Sequence, residues 1–78
     1  MIRITRKDLY FQRNGSDLDL HYGARVICKV FSFGPGQYSV MHADKTMGSA
    51  TLPLDKASEQ AINSALIHLN SAKPKGAI

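Results

Sequence analysis

Two β-prone runs flank Asn14-Gly15, and the second of them alternates strictly between apolar and polar residues. Asn-Gly between such runs is the strongest short-range hairpin signal, because both residues tolerate positive φ. In the return segment, residues 17–22, the side chains of Leu18, Leu20 and Tyr22 share one face, and the polar side chains share the other. The pattern predicts an antiparallel hairpin whose second strand has one face on a core and one in water.

The segments on either side of this hairpin predict further strands. Residues 2–5 alternate, but the phase is lost around residues 6–8, which indicates a bulge or a separate short strand. Residues 25–33 are apolar on both faces, with Val26, Cys28 and Val30 expected on one of them. Such a segment is typical of a central strand, or of one whose second face meets a partner.

Gly34-Pro35-Gly36 is the most glycine-rich point of the chain. A phosphate-holding loop needs a helix directly after its glycines, whereas the residues after Gly36 alternate with a period of two. Pro35 also lacks the N–H that such a loop would use. The motif therefore predicts a bend between two strands, with the second strand near residues 37–42 and another near 46–52.

The last third of the chain predicts one helix. Pro53 ends the sheet region, Asp55 is a plausible N-cap, and Pro74 prevents continuation beyond about Ala72. At 100° per residue the expected core stripe has Ala61 and Ala72 at its edge, and its central members are Ile62, Ala65, Leu66 and Leu69.

The opposite face of this helix carries no charge between Glu59 and Lys73, and Ile67 lies in its middle. Solvated helix faces usually carry several charges, whereas charge depletion marks the cores of interfaces. The hypothesis is a docking surface. The plainer alternative is an uncharged face with a single exposed isoleucine, which is normal in soluble proteins.

Together these patterns predict an α+β fold, an antiparallel sheet of four to five short strands with one C-terminal helix packed on it. With 78 residues the chain has room for one core. The predicted organisation is a single domain over residues 1–78, with strands at about 2–52, the helix at about 55–72 and a short basic tail at 73–78.

Charge and cysteine content limit the expected partners and the expected cellular compartment. The net charge of +4 suits nucleic acid or an acidic protein surface, and Arg3, Arg6 and Lys7 cluster near the N-terminus. A single cysteine, Cys28, excludes an internal disulfide and fits a reducing compartment. No signal-peptide pattern and no apolar run long enough for a membrane span is present. A cytoplasmic location is expected, with no membrane partner.

The sequence shows no constellation that predicts catalysis. The histidines at 21, 42 and 68 lack the local pairing of metal ligands, and no nucleophile–base pair stands out. His21 shares a strand face with Asp17 and Asp19, which allows either a carboxylate–imidazole cluster or a solvated polar face. We expect no metal, no cofactor and no enzyme activity.

Two resemblances bear on nucleic acid. Residues 41–54 and the helix after them are similar to the second half of HicA-type toxins, which implies RNA cleavage, although the Gly-Ser-His element of that family is missing here. Strands followed by a helix are also similar in build to the arm-type DNA-binding domains of tyrosine integrases. That likeness implies a sheet in the major groove, with Arg25, Lys29, Phe31 and Phe33 on the contacting strand.

In size and build the chain resembles small phage-encoded inhibitors of host defence of the anti-CRISPR type. The lead prediction is a small non-catalytic viral protein in the host cytosol that docks on and occludes a protein or ribonucleoprotein complex. The alternatives are a basic sheet-based nucleic-acid-binding module and a small RNA-cleaving toxin, and a homodimer would use the same surfaces. The predicted contact residues are Arg3, Arg6, Lys7, Arg25, Lys29, Phe31 and Ile67.

Overall fold

The computed structural model describes residues 3–48 and 50–71 and confirms the α+β arrangement. A four-stranded antiparallel meander in the order β1-β2-β3-β4 carries one helix, α1, on one face. Ile2, Ala72 and the basic tail lie outside the described residues. The elements are a 3-10 turn at Arg6–Asp8, β1 at Leu9–Asn14, β2 at Asp17–Tyr22, β3 at Arg25–Ser32, β4 at Tyr38–Met41 and α1 at Leu54–Ser71.

The first two hairpins close in the same way, with glycine at the first of two loop residues. Asn14 pairs with Asp17, so the first loop consists of Gly15 and residue 16, and Gly15 has φ 65°. The second loop begins with Gly23 at φ 63°. Positive φ at the first loop position only is the type II′ arrangement, so Asn14 ends β1 and does not form half of a type I′ turn.

The bend at residues 34–36 joins β3 to β4, as the sequence predicted. The backbone N–H of Gln37 donates to the carbonyl of Gly34 at 3.0 Å, and the N–H of Phe33 donates to the carbonyl of Gln37 at 2.8 Å. Gly36 has φ 69°, a backbone conformation that is costly for a residue with a side chain. This segment is therefore a connection between two strands, closed by backbone hydrogen bonds.

A β-bulge in β3 corrects the predicted faces of that strand. Leu20 pairs with Cys28 and His21 pairs with Val26, so Ile27 is the extra residue. The shift turns Val26 outward, where it is 43% exposed, and turns Ile27 inward, where it is 7% exposed. The expectation that Val26 shares a face with Cys28 was wrong, because a bulge changes the phase of the residues before it.

Two other expectations differ from the structure. The segment before β1 is a 3-10 turn and not a strand, because the side chain of Asp8 accepts a hydrogen bond from the backbone N–H of Thr5 at 2.9 Å. The strand expected near 46–52 consists of two isolated bridges, Met41 with Met47 and Tyr38 with Leu52. The sheet therefore has four strands in the described part of the chain.

Helix α1 packs on the sheet through small residues. The fully buried side chains of the helix are Ala57, Ala61 and Ala65, spaced four apart on one line. Ile62 and Leu69 flank this line and are only half-buried. The predicted stripe was therefore displaced, and Ala61 is central and not at its edge. Asp55 is not the N-cap either, since the helix begins at Leu54 and Asp55 lies in its first turn.

The core lies between this alanine line and the covered face of the sheet. On the sheet side its members are Leu20, Cys28, Val30 and Val40, each 1% exposed or less. Alanine has no side chain beyond Cβ, so the helix backbone approaches these residues closely. No helix of the described residues has the length and apolarity that crossing a membrane requires.

Replacing Ala61 with leucine tests the close approach. Extra methylenes at a fully packed contact force the helix away from β3, and we expect Ala61→Leu to lower the free energy of unfolding by about 1–3 kcal/mol in urea denaturation. The matched control is Gln60→Leu at the neighbouring exposed position, with an expected change within about 0.5 kcal/mol. Equal effects of the two variants would contradict the alanine contact.

Candidate functional site

A groove on the outer side of α1 places Ile67 beside the turn that follows β4. Its volume is about 590 Å³, and we call it the Ile67 groove. The helix supplies uncharged polar side chains around Ile67, and the turn supplies one carboxylate and one imidazole. The lining residues are His42, Ala43, Asp44, Thr46, Gln60, Asn63, Ser64, Ile67, His68 and Ser71.

Ile67 is the most exposed of the large apolar side chains that the structure describes, at 69%. It also lines a second groove of about 550 Å³, formed between α1 and the segment before β1, which we call the N-terminal groove. Ile67 is thus a ridge with a concave surface on either side. No Lys, Arg, Asp or Glu occurs in α1 from residue 60 to residue 71, so the whole ridge is free of formal charge.

Two contacts hold the wall of the N-terminal groove in place. The amide of Asn70 accepts a hydrogen bond from the backbone N–H of Ile4 and donates one to its carbonyl, both at 2.9 Å. Arg6 donates through both terminal nitrogens to the carboxylate of Glu59, at 2.7 and 2.9 Å. This ion pair lowers the pKa of Glu59 and raises that of Arg6. Because its charge is paired, Arg6 is a structural contact of the helix and a weaker candidate for binding a partner.

The opposite wall is a tight turn over residues 42–46. The carboxylate of Asp44 accepts hydrogen bonds from the Thr46 hydroxyl at 2.6 Å and from the Thr46 backbone N–H at 3.0 Å, and these bonds lower the pKa of Asp44. Lys45 has φ 72°, which is rare for a residue with a side chain. Such backbone strain costs about 1–3 kcal/mol and concentrates at functional sites.

A third concavity, the basic cleft, gathers basic side chains from three elements. Its volume is about 390 Å³, and it shares Ala43 and His68 with the Ile67 groove. Four of the lining side chains are basic and four are apolar, and none is a carboxylate. The lining residues are Arg25, Val26, Ile27, Lys29, Met41, Ala43, Lys45 and His68.

The face of the sheet away from α1 carries a polar cluster. Lys29 lies 3.9 Å from the carboxylate of Asp19, which is 13% exposed. The ring of His21 stacks on Tyr10 with centroids 5.0 Å apart, and the Tyr10 hydroxyl donates to the carbonyl of Gly23 at 2.8 Å. One carboxylate oxygen of Asp19 and Nδ1 of His21 are buried without a hydrogen-bond partner among the described residues. The cluster is therefore neither fully solvated nor fully paired.

The three histidines fall on two different surfaces. His21 lies on the sheet face, whereas His42 and His68 line the Ile67 groove together with Asp44. A pair of imidazoles can supply a general base and a general acid, which is the chemistry that RNA cleavage requires. Asp44, however, is engaged with Thr46 and holds the turn. Residues 3–48 and 50–71 contain no group of three or more side chains that could hold a metal ion.

Cys28 belongs to the core and not to a site. It is fully buried under α1. Burial raises the pKa of its thiol, a hydrogen bond with Ser64 opposes that shift, and the charge of Asp44 adds to it. Because the thiolate is the reactive form, this environment favours an inert side chain.

The predicted contact residues divide among separate surfaces. Arg3 and Ile67 line the N-terminal groove together with the paired Arg6, while Arg25 and Lys29 line the basic cleft. Lys7 is exposed in the 3-10 turn, and Phe31 is half-buried beside Ser39 on the sheet face away from α1. Sequence reasoning missed Lys45, whose only signal was its place in the turn after β4. It also missed that His42 and His68 line the same groove. No family model, curated protein or solved structure matches this chain.

Acid should weaken the contact between Arg6 and Glu59. Since folding lowers the pKa of Glu59, its ionised form stabilises the fold above the ordinary pKa of glutamate, and that contribution is lost as pH falls through the lowered value. We expect Glu59→Gln to lower the urea midpoint at about pH 6 and to have a smaller effect at about pH 3. Because the pair is exposed, about 1 M salt should also reduce the difference. A difference that is constant with pH would contradict this role.

Proposed function

We propose that the protein is a non-catalytic binding module that docks on a partner protein through the outer face of α1. The observation that supports this most directly is Ile67, 69% exposed in the middle of a helix face without formal charge and with a groove on either side. An isolated exposed isoleucine on a flat, charged face would need no explanation. A ridge between two concave surfaces has the form of a helix that fits into a complementary surface.

The chemistry around the ridge favours a protein partner. Gln60, Asn63 and Ser71 offer side-chain donors and acceptors close to Ile67, which suits the hydrogen bonds found between protein surfaces. Arg3 lies at the rim of the N-terminal groove. The matching surface has an apolar contact for Ile67, hydrogen-bonding groups around it and acidic residues opposite Arg3. Nucleic acid would instead require cations along the ridge.

The length of α1 supports a role in which the protein covers a functional surface of its partner. An α1 of 18 residues is about 27 Å long, enough to cover a functional surface of a larger protein. Covering a functional surface is how a small inhibitor is expected to act. We propose that the complex inhibited in this way is a host-defence complex. A CRISPR interference assay with and without the protein measures that outcome directly.

The docking face is tested by comparative capture from a lysate of source cells. We expect Ile67→Asp to lose the captured partner, because burying a carboxylate in an apolar contact is costly. Its unfolding free energy should change by no more than about 0.5 kcal/mol, since the side chain is exposed. The matched control is Phe33→Asp, which places the same charge at a position that is 61% exposed and outside α1.

Loss of capture by Ile67→Asp alone supports the proposal. Retention by Ile67→Asp, or equal loss by both variants, would refute it. Sedimentation of the wild-type protein and of Ile67→Asp identifies the case in which the captured partner is a second copy of this chain. The captured protein is then assayed for its own activity, which an occluding partner must reduce.

A further inference from the structure

Beyond docking on a protein, we propose that the basic cleft binds the phosphate groups of a single-stranded nucleic acid. This site adjoins the Ile67 groove at Ala43 and His68 but does not include Ile67, and the proposal does not depend on the docking function. It rests on the convergence of cations, the origin of the cleft in the fold, the backbone of Lys45 and the apolar floor.

The basic side chains reach the cleft from different parts of the chain. Arg25 begins β3, Lys29 lies in its middle, Lys45 projects from the turn after β4, and His68 comes from α1. Cations that only guard a sheet edge lie along one strand and point to solvent. Here they surround one concavity with no carboxylate in its lining. Lys29 also lies 3.9 Å from Asp19 of β2, whereas Arg25 and Lys45 form no ion pair among the described residues, so their charges concentrate positive potential at this place.

The cleft exists because β4 is half as long as β3. β4 pairs only with residues 29–32 of β3, so the first half of β3 has an edge without a neighbouring strand in the described part of the chain. The bulge at Ile27 lies in that same half of β3, in its pairing with β2. The turn over residues 42–46 and the side of α1 form the remaining walls, which leaves the cleft open to a passing chain.

Lys45 indicates that this cation has a use. The left-handed region that its backbone occupies favours glycine, and asparagine more than lysine. It is the sole residue other than glycine with positive φ in residues 3–48 and 50–71. Glycine would adopt this backbone at lower cost, so the chain carries a lysine here against its conformational preference.

The floor fits a nucleotide better than an acidic peptide. Val26 and Met41 line the cleft together with the basic side chains, while Ile27 is 7% exposed and adds little surface. A ligand with an apolar part next to its charge therefore has contacts for both. The volume of about 390 Å³ is near the lower end of small-ligand sites and suits a single nucleotide unit. A concave site of this size accepts the backbone of a single strand, with neighbouring nucleotides outside.

The test is fluorescence anisotropy with labelled oligothymidine and oligouridine of about 12 nucleotides, titrated at about 50 and 200 mM salt. Three phosphate contacts predict that the affinity of the wild-type protein falls about 20-fold between the two salt concentrations. The variant combines Arg25→Ala with Lys45→Gly, which removes two cations and relieves the strained φ of residue 45. Its salt dependence should fall to about threefold, and its affinity at low salt should fall at least about tenfold.

Two controls separate the cleft from net charge and from folding. Arg13→Ala with Lys56→Ala removes the same charge from exposed positions elsewhere and should retain wild-type affinity. The melting temperature of Lys45→Gly alone should equal or exceed that of the wild-type protein, while its affinity falls. Ile67→Asp should bind the oligonucleotides normally, so failure of the docking proposal and of this one are distinguishable.

Several results would overturn the proposal. Wild-type protein that does not bind at low salt excludes a phosphate site. Equal weakening by the control pair assigns binding to net charge alone. Displacement of the oligonucleotide by a glutamate-rich peptide of equal length and lower concentration assigns the cleft to an acidic protein segment instead.

Discussion

The contact between the alanine line of α1 and the covered face of the sheet is the interaction on which the other features depend. Ala57, Ala61 and Ala65 bring the helix backbone close to β3 and β4, over Val30 and Val40. A domain of this size has little apolar surface to bury, so close packing of a few small side chains provides much of its stability. Because the contact is narrow, it leaves two sides of the helix and the second face of the sheet at the surface.

Both candidate surfaces follow from that narrow contact. On one side of α1 the segment before β1, which is hydrogen-bonded to Asn70 through Ile4, forms the wall of the N-terminal groove. On the other side the turn over residues 42–46 forms the wall of the Ile67 groove. Ile67 therefore lies between the two grooves. Where β4 ends, the same turn places Lys45 in the basic cleft with Arg25 and Lys29.

The two surfaces differ in chemistry and meet at Ala43 and His68. The Ile67 groove is apolar and hydrogen-bonding, as protein interfaces are at their centres. The basic cleft carries basic side chains beside apolar ones, which suits a phosphate group with an apolar part attached. Taken together, the two proposals describe a partner that presents a protein surface with a nucleic-acid strand alongside it, which is the character of a ribonucleoprotein complex.

The sequence alone determined the fold class, because alternation of apolar residues and glycines at the turns are local signals. It placed the first hairpin at Asn14-Gly15 and the bend at Gly34-Pro35-Gly36, and it singled out the uncharged helix face around Ile67. Only the tertiary structure decided which residues lie together. The bulge at Ile27 depends on strand register, the burial of alanines over larger residues depends on how closely the helix can approach, and the arrival of Lys45 beside Arg25 depends on where β4 ends. Each of these is set by contacts between residues distant in the chain, which no local pattern records.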